Sequence, residues 1–111
     1  MEDEIKTFLQ DILNSIQEIE SFFANQKKEF AIFQNDRMLK RAVERNIEII
    51  GEATSRILKI DSSCQMQNTR KIIATRNRIA HSYEKVSDDI LWSIVIIHLP
   101  KLKIEVENLL K

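Results

Sequence analysis

Between Thr75 and Tyr83 the chain gathers two guanidiniums, a carboxamide, an imidazole and a phenol, carried by Arg76, Arg78, Asn77, His81 and Tyr83. Histidine is the side chain that exchanges a proton near neutral pH, so His81 is the natural acid or base. Arginine can hold a phosphate through two parallel N–H···O bonds and stabilise charge that grows on it. Together they form a sufficient kit for cleaving RNA without a metal. The imidazole takes the proton of a ribose 2′-hydroxyl or gives one to the departing 5′-oxygen, while a guanidinium clamps the phosphate. The same residue types also suit a plain helix end, where Arg and His cap the last carbonyls. Tyr83 alone reads as a packing residue with its hydroxyl at the surface. The other histidine, His98, lies in the apolar run Ile94-Val95-Ile96-Ile97-His98-Leu99 and reads as a packed side chain.

Other chemistries find little support. No second histidine or acid stands at ligand spacing on the helix before His81 and no cysteine cluster exists, so no metal site is expected. Gly51 is the single glycine, which leaves no glycine-rich phosphate loop, and no cofactor is expected. The single cysteine, Cys64, cannot form an internal disulfide. Seventeen basic and seventeen acidic residues cancel overall but are segregated. Residues 1–36 hold three Lys against eight Asp/Glu, net −5; residues 37–85 hold eleven Lys/Arg against five acids, net +6; residues 86–111 hold three against four, net −1. A locally positive face attracts phosphate whatever the total charge. Arg41, Arg45 and Arg78, all in the basic middle, are the candidate RNA contacts, the alternative being ordinary solvated helix faces.

The elements that must position these residues are helices. One glycine and one proline in 111 residues leave little to build hairpins from. Ile5, Phe8, Leu9, Ile12, Leu13, Ile16, Ile19, Phe22 and Phe23 recur at steps of three and four, which predicts a first helix over residues 3–23. After a polar break at 25–28, Met38, Ala42, Val43, Ile47, Ile50, Ala53, Ile57 and Leu58 predict a second over 36–59. Gly51 sits inside it at a cost of about 1 kcal/mol relative to alanine, which a close helix–helix contact would offset. A third helix starts between 63 and 69, turns Ile72, Ile73, Ile79 and Ala80 inward, and ends near 81–85. Ser87 is a good N-cap for a fourth, with Asp88 and Asp89 in its first turn. That helix should kink or break at Pro100, leaving a short fifth piece over 102–110. The expected fold is one all-α domain over residues 1–111, an up-and-down four-helix bundle with a kinked or broken last helix. No apolar run approaches the 18 or so residues of a membrane span, and the acidic amino terminus is unlike a signal peptide, so a soluble cytoplasmic protein is expected.

The segment Arg76-Asn77-Arg78-Ile79-Ala80-His81-Ser82-Tyr83 resembles the Arg-x4-His-x-Tyr motif of the HepT-like branch of the HEPN superfamily. The stretch Arg41-Ala42-Val43-Glu44-Arg45-Asn46-Ile47-Glu48-Ile49-Ile50-Gly51-Glu52-Ala53, with Asp36-Arg37 before it, is similar to the second-helix signature of that branch. The resemblance spans essentially the whole chain. It implies a helical bundle that dimerises and acts as a metal-independent ribonuclease toxin, paired with a minimal nucleotidyltransferase antitoxin. It also implies catalytic roles for Arg76 and His81, an assisting role for Asn77, and modification of Tyr83 with AMP by the antitoxin. Ser82 stands where the family often has glycine, and the tryptophan usual shortly before the motif is missing. A different class of function competes with this one: a non-catalytic helical module that grips a nucleotidyltransferase or a nucleotide.

Helix geometry adds one expectation. At about 100° per residue, Arg76 and His81 lie roughly 140° apart around the helix, whereas Asn77 and His81 lie within about 40°. A homodimer, with third helices packed across a two-fold axis, would let Arg and His from different chains converge.

Overall fold

Ile5, Leu9, Ile12, Ile16 and Ile19 are all buried, so one continuous apolar face fixes the first helix, α1 (Asp3–Phe22). The computed structural model describes residues 2–81 and 85–111. After α1 come α2 (Phe30–Asn35), α3 (Arg37–Ile60), α4 (Arg70–His81), α5 (Asp88–Ser93), a π-helical turn (Ile94–His98) and α6 (Leu99–Leu110). No strand occurs among the described residues. The long α3 lies between α1 and α4, α6 returns to α1, and the π-helical turn touches α4. Glu2 and Ile5 lie by Ile60 and Asp61, whereas Phe22 lies by Met38 and Leu39, so α1 and α3 run in opposite directions. The all-α bundle is therefore as expected, its fourth column made of α5, the π-helical turn and α6. No helix among the described residues is long and apolar enough to cross a membrane.

Local chemistry sets the helix starts. The Leu39 N–H donates to Asp36 Oδ1 at 3.0 Å, capping α3. Ser87 Oγ accepts from the Ile90 N–H and caps α5, as its sequence position predicts. The start of α4 is held from a distance: the Glu105 carboxylate on α6 accepts the backbone N–H groups of Gln67 at 2.6 Å and Asn68 at 3.1 Å, and the Asn68 side-chain amide at 3.1 Å.

Four details differ from the sequence expectation. The short α2 is additional: Phe30 and Phe33 pack on Trp92 with ring centroids 6.1 and 5.1 Å away, and Phe23 meets the same ring at 5.8 Å. Met38, expected on the inner stripe, is 82% exposed, because Leu39 beside it takes the core position one helical step round. Ala80 is exposed, since only the face of α4 carrying Ile72 and Thr75 is buried. The interruption at Pro100 takes the form of a π-helical turn just before it, with the Leu99 N–H bonded to the Ile94 carbonyl. The wider turn accommodates the proline ring, which in an α-helix would clash with the carbonyl four residues back.

Candidate active site

α3 and α4 approach each other closely at Gly51. A Cβ on Gly51 would clash with Arg76 Cβ, and would lie 2.9 Å from its Cγ and 3.2 Å from the Ile72 carbonyl oxygen. The glycine in mid-helix is thus explained by the close approach it permits. Gly51→Ala should gain about 1 kcal/mol of helix propensity. It should lose more to overpacking, about 1–3 kcal/mol, because Arg76 Cβ is fixed to the α4 backbone and cannot swing away. Chemical denaturation is expected to show a variant less stable than the parent; a more stable one would contradict the contact.

From this seat the Arg76 side chain crosses toward the exposed face of α3. One terminal nitrogen pairs with a Glu52 oxygen, and the other donates to Asn77 Oδ1 at 3.0 Å. Its Nε–H is buried with no acceptor among the described residues. Glu52 also accepts from Arg56 Nε at 2.9 Å. That hydrogen bond, with the charges of Arg76 and Lys59, holds the Glu52 carboxyl below the usual carboxylate range, so it is ionised at neutral pH. Arg76 forms one edge of a groove of about 390 Å³ walled by Phe8 and Asp11 of α1 and by Arg45, Glu48 and Glu52 of α3. Three carboxylates against two guanidiniums give this groove a net charge of −1.

Of the residues singled out from sequence, the structure brings Arg76 and Asn77 together and adds Glu52. His81 is exposed at the last position of α4, and no hydrogen bond or ion pair joins it to Arg76 or Asn77. Because α4 is regular through His81, the separation of roughly 140° around the helix stands within one chain. Arg78 and Arg41 are exposed. Arg45 is 70% exposed and paired with Glu48 at 2.7 Å. Arg41 lines a different cleft, with Arg37, Lys40 and Lys85. Tyr83, and Ser82 beside it, lie outside the described residues. His98 is half-buried on the π-helical turn; its burial, then the charges of Lys71 and Lys101, push its imidazole below the ordinary histidine range. No three of His, Cys, Asp and Glu are grouped to hold a metal ion among the described residues. Glu52 was not among the residues chosen from sequence, although it follows Gly51 directly.

A helical bundle with this Arg-x4-His segment, its arginine seated on a glycine of the neighbouring helix, is of the HEPN ribonuclease class. The chain belongs to the ribonuclease HepT-like family, whose family model matches residues 12–109. It is similar to a candidate RNase of Methanocaldococcus jannaschii, 36% identical over 106 residues covering 94% of each chain. It is also similar to the Thermococcus cleftensis protein named "Probable ribonuclease HepT", 33% identical over 107 residues covering 96% of each. No solved structure matches it.

Proposed function

We propose that this ribonuclease is a metal-independent endoribonuclease that cuts RNA by attack of the ribose 2′-hydroxyl, with His81 and Arg76 as catalytic residues and Asn77 and Glu52 orienting Arg76. The observation that carries the reading is the mooring of one arginine by Gly51, Glu52 and Asn77 on the helix that ends in an exposed histidine. A moored guanidinium meets charge developing on a phosphate without first having to reorganise. The imidazole removes the 2′-hydroxyl proton, the 2′-oxygen bonds to the adjacent phosphorus, and the 5′-oxygen leaves with a proton. The products are a 2′,3′-cyclic phosphate and a 5′-hydroxyl. In the working enzyme, a two-fold dimer brings Arg76 of one subunit to His81 of the other. Arg41, Arg45 and Arg78 contact RNA phosphates outside the reacting one. The test is purified protein on mixed RNA, with and without chelator, followed by end-group analysis. Cutting that survives chelator and leaves cyclic ends supports the reading; binding without cutting would favour the non-catalytic module.

The same reading makes the protein the cytoplasmic toxin of a toxin–antitoxin pair, silenced when a nucleotidyltransferase encoded beside it attaches AMP to Tyr83. One added negative charge and a bulky nucleotide close to Arg78 and His81 in sequence would repel and displace RNA phosphate. Tyr83→Phe removes only the acceptor hydroxyl. It is expected to cleave RNA at the parent's rate yet resist silencing by the nucleotidyltransferase and ATP. Mass spectrometry checks the acceptor: an adduct on Ser82, or a silenced Tyr83→Phe variant, would sink this regulation.

A further inference from the structure

Arg37 lies three residues before Lys40 and four before Arg41, and Glu44 lies four after Lys40 and three after Arg41, which places the four on one face of α3. The chain leaving α4 brings Lys85 and Val86 across from them, and Asp88 and Leu91 of α5 complete a cleft of about 340 Å³. Its floor is apolar, since Val86 and Leu91 are buried. Four cations and two carboxylates line it, net +2. Lys40 is held by Asp88 at 3.3 Å, while Arg37, Arg41 and Lys85 are exposed. Positive charge in a concave site with an apolar floor acts on an anion more strongly than the same charge spread over open surface.

The groove beside Arg76 has the opposite sign, net −1. Charge alone does not draw an RNA strand there, so the attraction must come from elsewhere on the molecule. Both sites sit on α3, and α4 runs against α3, for Arg76 lies beside Gly51 whereas Lys85 lies beside Arg37 to Glu44. The end of α4, with His81, therefore falls between the two. Gly51 and Arg41 are ten residues apart, about 15 Å along the axis at 1.5 Å per residue. That is the rise of about four stacked nucleotides at 3.4 Å each.

We propose that the cleft of Arg37, Arg41 and Lys85 is a second phosphate-binding subsite, which grips the RNA strand about four nucleotides from the phosphate at Arg76 and supplies much of the affinity that the Arg76 groove lacks. This inference rests on the ribonuclease reading, and adds to it a dependence of affinity on substrate length. An RNA too short to span both sites loses the contact; a longer one keeps it.

The test measures binding in a His81→Ala background, across a range of salt, for a single-stranded RNA of about a dozen nucleotides and for a trinucleotide. Each phosphate contact adds about 0.7 to the slope of log K against log salt for single strands. Arg37→Gln with Lys85→Gln is expected to flatten the slope on the longer RNA by about 0.7–1.4 and to leave the trinucleotide unaffected. Lys6→Gln with Lys27→Gln removes the same charge elsewhere and should keep the parental slope. An unchanged slope in the cleft variant, an equal flattening in the control, or the same loss on the trinucleotide overturns the subsite. A changed oligomeric mass with an unchanged slope marks the cleft as a protein contact and also overturns it. Failure of the parent protein to cut RNA sinks the ribonuclease reading, while the slopes still decide the cleft.

Discussion

His81→Ala is expected to lower the rate of RNA cleavage by about 10²–10⁴-fold, the usual contribution of one general acid or base, with almost no change in stability. The two effects separate because His81 is exposed at the end of α4, and exposed positions away from special features typically shift stability by less than about 0.5 kcal/mol. Arg76 makes the complementary case. Arg76→Lys keeps a positive charge but loses the planar fork that reaches Glu52 and Asn77 together. A loss comparable with that of His81→Ala is therefore expected even though charge is conserved. Single-turnover cleavage of a defined RNA, beside thermal denaturation of each variant, gives both readouts. If His81→Ala cuts as fast as the parent, the assignment of the base is wrong.

Mixing two inactive proteins should restore activity. In a dimer whose sites each combine Arg76 of one subunit with His81 of the other, a subunit carrying Arg76→Ala paired with one carrying His81→Ala has one site with both lesions and one with neither. Random exchange of subunits makes half of the dimers mixed, and half of the sites in those are intact, so about a quarter of the parental activity is expected across the two-fold interface. Sites built within single chains would all carry one lesion, and the mixture would stay as inactive as its parts. The expectation rests on the geometry of α4, which separates the two side chains by roughly 140° around one regular helix. A flat zero after verified subunit exchange would falsify the shared site.

What could be read from the sequence is what short-range physics encodes. The buried face of α1, the cap at Ser87 and the need for close contact at Gly51 all follow from steps of three and four and from single-residue preferences. The six residues of α2 carry too few turns for periodicity to announce them, and their place is set by Trp92, nearly sixty residues on. Apolar character alone could not separate Met38 from Leu39; the phase of α3 does, since Leu39 lies four residues before the buried Val43. The π-helical turn is a shift of one hydrogen bond, which residue types alone do not announce. Arg76, Asn77 and His81 were named by type and spacing, and of these the structure brings Arg76 and Asn77 together. Of the cationic cleft only Arg41 was named as a contact from sequence; Glu52, Arg37, Lys40 and Lys85 were not, because their surroundings come from neighbours supplied by other helices.

The Glu105 clamp bears on how the molecule opens. The amides of Gln67 and Asn68 are held by a carboxylate thirty-eight and thirty-seven residues away. Fraying of the start of α4 and loosening of α6 at Glu105 should therefore share one step, and hydrogen exchange at those two amides is expected to follow the opening of α6 more closely than that of the loop they sit in. Among the described residues the end of α4 that carries His81 has no such tie to α6, so this clamp anchors the helix at the end opposite its exposed histidine.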